Sequence, residues 1–501
     1  MPDPRILIVG AGPTGLVLAL MLSEAGVAFR LIDKADRPGT ASRALVVHAR
    51  TLEYYSMLGI ADLALAAGVQ VERLHLQEGG REAAQLNFAE FGAGLSPFPT
   101  LLSLAQDAHE ELLVAELERR GHKVERGLSL EEIAQDPDGA DVSISGAAGM
   151  ERARFDWVVG ADGASSRTRH ALGIGFPGGT YAQRFFVADI DLRAASAGEA
   201  YVRLGDRNFL LMLPARRNGS WRLVGIVPGT VGDRDDLGFA DVAPDLFELL
   251  GETPGRVNWF STYHVHHRVA EAFRRGRVFL AGDAGHVHSP ASGQGMNTGI
   301  GDAVNLGWKL AEVSRGRAAA SLLDSYEPER IAFARKLVAT TDTAFTRIVD
   351  PNFAGRLFRT LFAPGVASIL TRIPAVQTAI FRIISQTRIS YSGSALSSGR
   401  AGSIRGGDRL PYLPEVYRLL RGFGWQLHVH GEAGETLRKE AAAAGLVLHC
   451  LEWSDAAKAA GYERNAIYLV RPDGHVACVS AQQDLTEVRR LQARFGLKFT
   501  A

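Results

Sequence analysis

"RILIVGAGPTGLVLALMLSEAGVAFRLID", residues 5–33, decides the fold of this chain. Its first five residues form a short apolar run, suited to a parallel strand buried on both faces. "GAGPTG" follows, with Gly10, Gly12 and Gly15 at GxGxxG spacing. "LVLALMLSEAG" (16–26) then reads as a helix closed by Gly26, and "AFRLID" (28–33) as a second strand. Asp33 ends that strand, 18 residues beyond the third glycine. In this setting each glycine has its own task. The first makes the turn, the second lets a pyrophosphate approach the backbone, and the third lets helix meet strand. The amides of the first helical turn face the phosphates, and the acid is placed for a ribose hydroxyl. A turn that merely packs would leave Asp33 unexplained.

Composition bounds the rest. A chain of 501 residues is long enough for two or three domains. Apolar residues are 46% and charged residues 22%, the ordinary mix of a globular protein. Lys plus Arg and Asp plus Glu are equal at 55 each, so no net field argues for nucleic acid or an anionic membrane. Cys450 and Cys478 have neither CxxC nor zinc spacing and read as buried free thiols, which suits a reducing cytoplasm. The N-terminal apolar run imitates a signal peptide, but Gly10, Gly12, Pro13 and Gly15 interrupt it and Ser23-Glu24 is no small-residue cleavage site. A second apolar run, 363–385, is broken by Arg372, Pro374 and Arg382 and reads as an amphipathic helix, not a membrane span.

Two more strands end in unusual turns. "FDWVVGADG" (155–163) closes on Asp162-Gly163, and "GRVFLAGDAGH" (276–286) on Gly282-Asp283. The second runs on into "VHSPASGQGMNTG" (287–299), whose glycine content implies close approach of something to the backbone. A helix should begin near Met296, with its first amides free of intrahelical partners.

These motifs carry a resemblance. The chain resembles the FAD-dependent aromatic hydroxylases of the para-hydroxybenzoate hydroxylase fold, and most of all their phenol hydroxylase and aromatic polyketide hydroxylase branch. GxGxxG near the N-terminus, DG in mid-chain and GD before a glycine-rich loop occur in the family's order, along with "SRALVVHARTLEYYSMLGI" (42–60) and "GMNTGIGDAVNLGWKLA" (295–311). The likeness runs from about residue 5 to 393 and is weaker beyond. It implies an α/β fold: a Rossmann-like FAD-binding domain (1–175 and 273–396), an inserted β-sheet substrate domain (176–272), and a linker with a thioredoxin-like C-terminal domain (397–501). That last domain, lacking CxxC, is expected to be structural and separable, so that a chain ending near Ser398 keeps its FAD.

The resemblance also implies roles. Gly10, Gly12, Pro13, Thr14 and Gly15 would meet the pyrophosphate, with Asp33 and Lys34 beside the adenosine ribose. Arg43 and Gln106 would contact the flavin, and Asp162 would serve flavin and nicotinamide together. Asp283 would bind the ribityl or phosphate region, while Pro290, Gly293, Gly295, Met296 and Asn297 would line the isoalloxazine. His286 and His288, lacking nearby carboxylate or cysteine partners, read as loop residues at the cleft, and no metal is expected. The family usually has Ala-Ala-His where this chain has Ala284-Gly285-His286, and often a second glycine where it has Ser292.

The implied reaction is hydroxylation of an aromatic, phenolic substrate, polycyclic or polyketide-like, with NAD(P)H as transient reductant and O2 as co-substrate through a C4a-hydroperoxyflavin. No second GxGxxG with strand context is seen, so no separate nicotinamide domain is expected. The cofactor carries the chemistry, which explains why no catalytic triad or carboxylate pair stands out. The same motifs would serve a Baeyer-Villiger-type oxygen insertion, or a redox-neutral cyclisation on a structural FAD. A monomer or homodimer in the cytoplasm is expected. NADH versus NADPH and the group that deprotonates the substrate are not legible.

Overall fold

The computed structural model describes residues 5–39, 44–192, 198–205, 209–228, 231, 234, 236–250, 254–289, 293–349 and 373–500. Strand Ile6–Val9, buried on every residue, is the centre of a six-stranded sheet. Trp157–Gly160 lies parallel to it on one side and Phe29–Asp33 on the other. Val278–Leu280 and Glu125–Arg126 extend the parallel set outward, and Arg274–Arg275 closes one edge antiparallel. Helix Pro13–Glu24 returns from the first strand and packs on helix Gly295–Ser314. Gly307 permits that approach, because a Cβ there would lie 2.9 Å from the Met21 sulfur. The GxGxxG, DG and GD turns thus leave adjacent parallel strands at their carboxyl ends, where α/β sheets bind ligands.

The second sheet has eight strands, in the order His286–Val287, Val257–Val269, Gly178–Asp191, Ser220–Ile226, Phe209–Pro214, Glu199–Leu204, Arg73–Glu78, Arg81–Asn87. It therefore exceeds the bounds 176–272 expected from the sequence. Arg73–Glu78 joins parallel to Glu199–Leu204 and brings its hairpin partner with it. Asn218-Gly219 turns the chain between Phe209–Pro214 and Ser220–Ile226, with Gly219 at φ 87°. Side chains alternate cleanly. Phe186, Ala188, Ile190, Leu210, Met212, Trp221 and Leu223 pack under helix Phe239–Leu250. Leu211, Leu213 and Ala200 face the other way, onto Leu45, Val46 and Ala49 beside the first sheet. The histidine-rich strand Val257–Val269 exposes His264 and His266, and His267 meets Tyr181 edge-on, so this cluster is a solvated and stacking face.

The C-terminal sheet runs Val447–Leu451, Gln426–His430, Ile467–Val470, Val476–Ser480, with the first pair parallel and the others antiparallel. With helices Glu435–Ala443 and Thr486–Phe495 this is the thioredoxin-like arrangement. Cys478 is buried, whereas Cys450, expected to be buried, is exposed on the edge strand.

The stretch read as a linker, 397–411, is not one. Arg400–Ala401 and Ile404–Arg405 form a hairpin, Ser398 bridges Cys478, and a Cβ at Gly399 would lie 1.9 Å from the Val479 carbonyl oxygen. Nor does the C-terminal unit stand apart. Arg471 donates to both Glu329 oxygens at 2.8 and 3.0 Å, and Lys309 Nζ reaches Glu329 at 2.8 Å. Asp473 accepts from Arg471 and from the Trp308 indole at 2.6 and 3.1 Å. Arg50 donates to the Asp473 carbonyl, and Arg409 pairs with Glu53. All these side chains are buried. Where a linker and a separable domain were expected, buried charge pairs cross the seam and tie the two parts together.

Four buried histidines carry a pH prediction. Burial pushes His109, His430 and His475 down to about 4 and His428 to about 3, from an ordinary 6.5. Between about pH 4 and 6.5 the unfolded chain therefore binds more protons than the native one. Their contribution is complete above pH 6.5 and is lost as pH falls through that window, by up to about 1.4 kcal/mol per pH unit for each histidine. Thermal unfolding midpoints taken from pH 7.5 to 4.5 should drop across it. A flat profile would mean that these rings are not held neutral.

Candidate active site

The first turn is built as the sequence required. Gly10 has φ 105°, and a Cβ on it would lie 2.3 Å from the Ala161 carbonyl oxygen. A Cβ on Gly15 would lie 1.9 Å from the Gly10 oxygen, so helix and strand meet there. Gly12 differs: a Cβ there meets no protein atom within 4 Å and would project into the cleft. Pro13 occupies the first helical turn, and Gly12 provides no side-chain cap, so the initial amides remain available. Val9, Gly10, Gly12, Asp33, Lys34, Leu130, Asp162, Gly163 and Arg167 line one cleft. Asp33 is fixed in it by accepting from the amides of Ala11 (2.6 Å) and Ala35 (2.8 Å). A dinucleotide fits this cradle: the protein leaves room at Gly12, free amides behind it and a held carboxylate at the far end.

The other two turns converge on the same place. A Cβ on Gly282 (φ 62°) or Gly299 would lie 2.6 or 2.4 Å from the Thr14 hydroxyl, so the GD turn, the first helix and helix Gly295–Ser314 touch at Thr14. Asp283 is exposed on that turn. Asp162 accepts from Ser166 Oγ (2.5 Å) and from the amide and hydroxyl of Thr168 (2.9 and 3.0 Å), ordering the DG loop into helix Arg167–Ala171. Arg169, not singled out as a site residue, ties the two motifs together. Its guanidinium donates to the carbonyls of Ala284 (3.0 Å) and Ala164 (2.8 Å) and lies 3.9 Å above the Phe176 ring.

The glycine-rich segment leads into helix Gly295–Ser314, where Thr298 N finds Gln294 O at 2.8 Å and the preceding helical amides lack intrahelical partners. Asn297 does not present its side chain to the cleft as expected. It is buried, accepting from His48 N (2.9 Å) and Thr51 Oγ1 (2.8 Å) and donating to Val46 O (2.8 Å) and Gly293 O (2.9 Å). It clips the segment beside the second sheet to the helix start. Gly293 has φ 61°, and a Cβ there would come within 3.0 Å of Val46. Gln106 opens helix Gln106–Arg119 and exchanges hydrogen bonds with Ala44: Gln106 N donates to Ala44 O, and Ala44 N to Gln106 Oε1, both at 3.2 Å. Arg222, on the second sheet, pairs with Asp189 at 2.7 Å and also reaches Ala44 O at 3.3 Å, tying that sheet to the same segment. Arg43 and Pro290 lie outside the described residues, as does Ser292.

His286 is not a loop residue at the cleft. It is buried, and its Nε2 bonds Asp302 at 2.6 Å. Asp302 also accepts from Gly282 N (2.9 Å) and Arg330 Nε (2.6 Å). That ring of partners, with Arg330 leading, holds its carboxyl below the usual range despite burial. His288 bonds the Ser289 carbonyl through Nδ1, and its Nε2 has no partner among the described residues. No group of three potential metal ligands occurs among the described residues. Nor is any helix there long and apolar enough to cross a membrane.

Fold and site together define a flavoprotein monooxygenase. The profile of a family described as "FAD binding domain" matches residues 3–341, and the chain belongs to that family. It is 35% identical over 415 residues to 6-methylpretetramide 4-monooxygenase of Streptomyces rimosus, covering 80% of this chain and 72% of that one. Among solved structures, OxyS anhydrotetracycline hydroxylase from Streptomyces rimosus superposes with a TM-score of 0.78 at 28% identity, over 98% of each chain. The Diels-Alderase PyrE3 superposes with a TM-score of 0.74 at 27% identity, over 98% of this chain and 99% of that one. The protein is an FAD-dependent aromatic monooxygenase that uses NAD(P)H and O2.

Proposed function

We propose that the substrate is a fused-ring phenol of the aromatic polyketide kind, held between the second sheet and the start of helix Gly295–Ser314. One observation carries this reading. Leu74, Leu76, Val202, Leu211, Val224 and Ile226 alternate onto the sheet face opposite helix Phe239–Leu250, and all six stay half-buried. A broad aliphatic strip left partly uncovered beside a polar cradle suits a flat, apolar ligand. Two names support the substrate class: the Streptomyces relative is a 6-methylpretetramide monooxygenase, and the similar structure an anhydrotetracycline hydroxylase.

FAD would lie with its pyrophosphate over Gly10, Gly12, Pro13, Thr14 and Gly15 and its adenosine ribose at Asp33 and Lys34. Asp283 would take the ribityl or phosphate region. Arg43, Gln106, Asp162, Pro290, Gly293, Gly295 and Met296 would surround the flavin, with Asn297 acting through its clip on segment 46–51. Bound and reduced, FAD supplies the activation of O2 that places one oxygen atom on the ring. The chain's part is placement. Free amides at Gly295 and Met296 point a positive helix end toward charge that gathers on the cofactor. The aliphatic strip orients the substrate and keeps water away. The enzyme would work in the cytoplasm, as monomer or homodimer.

The test uses the holoenzyme without air. NADPH alone should bleach the bound flavin slowly, and NADPH with a fitting polycyclic phenol at least about tenfold faster. Readmitting isotopically labelled O2 should place one labelled atom in the product. Turnover of a known substrate with no NAD(P)H, no O2 and a flavin that stays oxidised would instead establish a cyclase. Label inserted beside a ketone would establish Baeyer-Villiger chemistry.

A further inference from the structure

Met296, the second residue of helix Gly295–Ser314, is half-buried, and its thioether sulfur lies 3.3 Å from His109 Nδ1. On the other side of the ring, His109 Nε2 lies 2.6 Å from the Tyr55 hydroxyl. Both His109 and Tyr55 are fully buried. One proton arrangement satisfies this chain. A thioether has no proton to give, so His109 Nδ1 must carry the hydrogen and donate to sulfur. Nε2 is then the acceptor, and Tyr55 donates to it. Burial holds the imidazole neutral, at about 4, and pushes the phenol of Tyr55 upward, which keeps that proton in place.

We propose that Met296 is an oxidation site for peroxide formed in the flavin cleft, and that the Tyr55–His109 pair dictates which sulfoxide epimer forms. The proposal rests on the reading that the start of this helix faces the flavin. The oxidant is hydrogen peroxide, made when O2 takes two electrons from reduced flavin with no substrate to receive oxygen. Thioether sulfur has two lone pairs, and the His109 N–H engages one. The free pair attacks peroxide: an S–O bond forms, the O–O bond breaks, and the departing hydroxide takes the proton left on the transferred oxygen and leaves as water. Sulfur loses two electrons and peroxide gains them. With one face of sulfur occupied, oxygen adds to the other, and a single epimer results. Sulfoxide is reversible, and each epimer has its own reductase. A polar, chiral oxygen beside the cradle would therefore record uncoupled turnover and could be erased.

The chain carries its own controls. Met21, Met57 and Met212 are buried at 3%, 6% and 1% exposure, whereas Met150 is 63% exposed. The holoenzyme is cycled with NADPH and O2, no substrate, and catalase in solution to remove escaped peroxide. Peptide mass mapping should find the mass of one added oxygen on Met296 and not on Met150. Equal modification of the two, or NADPH consumption that leaves Met296 untouched, would overturn the proposal and leave the flavin reading standing. A second arm needs no turnover. Hydrogen peroxide added directly to the wild type should give Met296 sulfoxide that only one of the two epimer-specific reductases reverses. His109→Phe should give both epimers in comparable amounts, and Tyr55→Phe, which keeps the ring in place, should loosen the selectivity. A wild-type mixture of epimers would refute the role of the pair, whether or not the first arm succeeds.

Discussion

Gly12→Val should purify folded and without colour. A Cβ at Gly12 meets no protein atom within 4 Å, and its φ of −74° suits any residue, so the protein itself accepts the side chain. What the valine fills is the space over the free amides of helix Pro13–Glu24, where the pyrophosphate belongs. Far-ultraviolet circular dichroism should match the wild type while the yellow flavin absorption is lost. Gly15→Val should fail differently. Its Cβ would lie 1.9 Å from the Gly10 carbonyl oxygen, a backbone atom that cannot swing aside, so the cost is about 3 kcal/mol or more and falls on the fold as well as the cofactor. A Gly12→Val protein that keeps stoichiometric FAD would show that the pyrophosphate does not cross this turn.

That contrast between two glycines of one motif shows how much could be read beforehand. Strand-turn-helix-strand is local, and the spacing from Gly10 to Asp33 fixes it without knowledge of the rest. DG and GD were legible as strand ends, and their convergence follows from the parallel sheet. The role of Arg169 was not legible, because its partners are backbone carbonyls at Ala164 and Ala284, which leave no trace in side-chain identity. Asn297 was placed in the right neighbourhood but turned the wrong way, since its partners Val46, His48 and Thr51 come from some 250 residues earlier. His286 looked partnerless because its carboxylate, Asp302, lies 16 residues further on, inside helix Gly295–Ser314. The hairpin Arg73–Asn87 lies outside the bounds expected for the substrate sheet; its parallel union with Glu199–Leu204 makes it part of that sheet. Local periodicity carries the elements, and long-range pairing decides which sheet receives them.

The same limit reverses the expectation for the C-terminus. Arg471→Met should destabilise the whole enzyme by about 3–5 kcal/mol, because Glu329 would stay buried opposite Lys309 alone and Asp473 would lose its charged partner. Arg471, ahead of Lys309, holds the Glu329 carboxyl well below the usual carboxylate range against full burial, so the change removes the stronger of its two cations. Burial pushes Lys309 down to about 8 even with Glu329 beside it, which makes it a poor substitute for the lost guanidinium. A chain ending near Ser398 removes Arg471, Asp473 and Arg409 together, leaves Glu329 with Lys309 and Glu53 with Arg50 as sole paired cations, and uncovers Trp308. It should aggregate rather than keep its FAD. Thermal unfolding followed by flavin fluorescence separates the cases. Glu329→Gln combined with Arg471→Met should cost clearly less than the two single changes added, since the pair is lost without leaving an uncompensated charge. Strict additivity would mean that the seam is held by packing alone, and a soluble, yellow truncation would restore the separable domain that the glycine-rich stretch suggested.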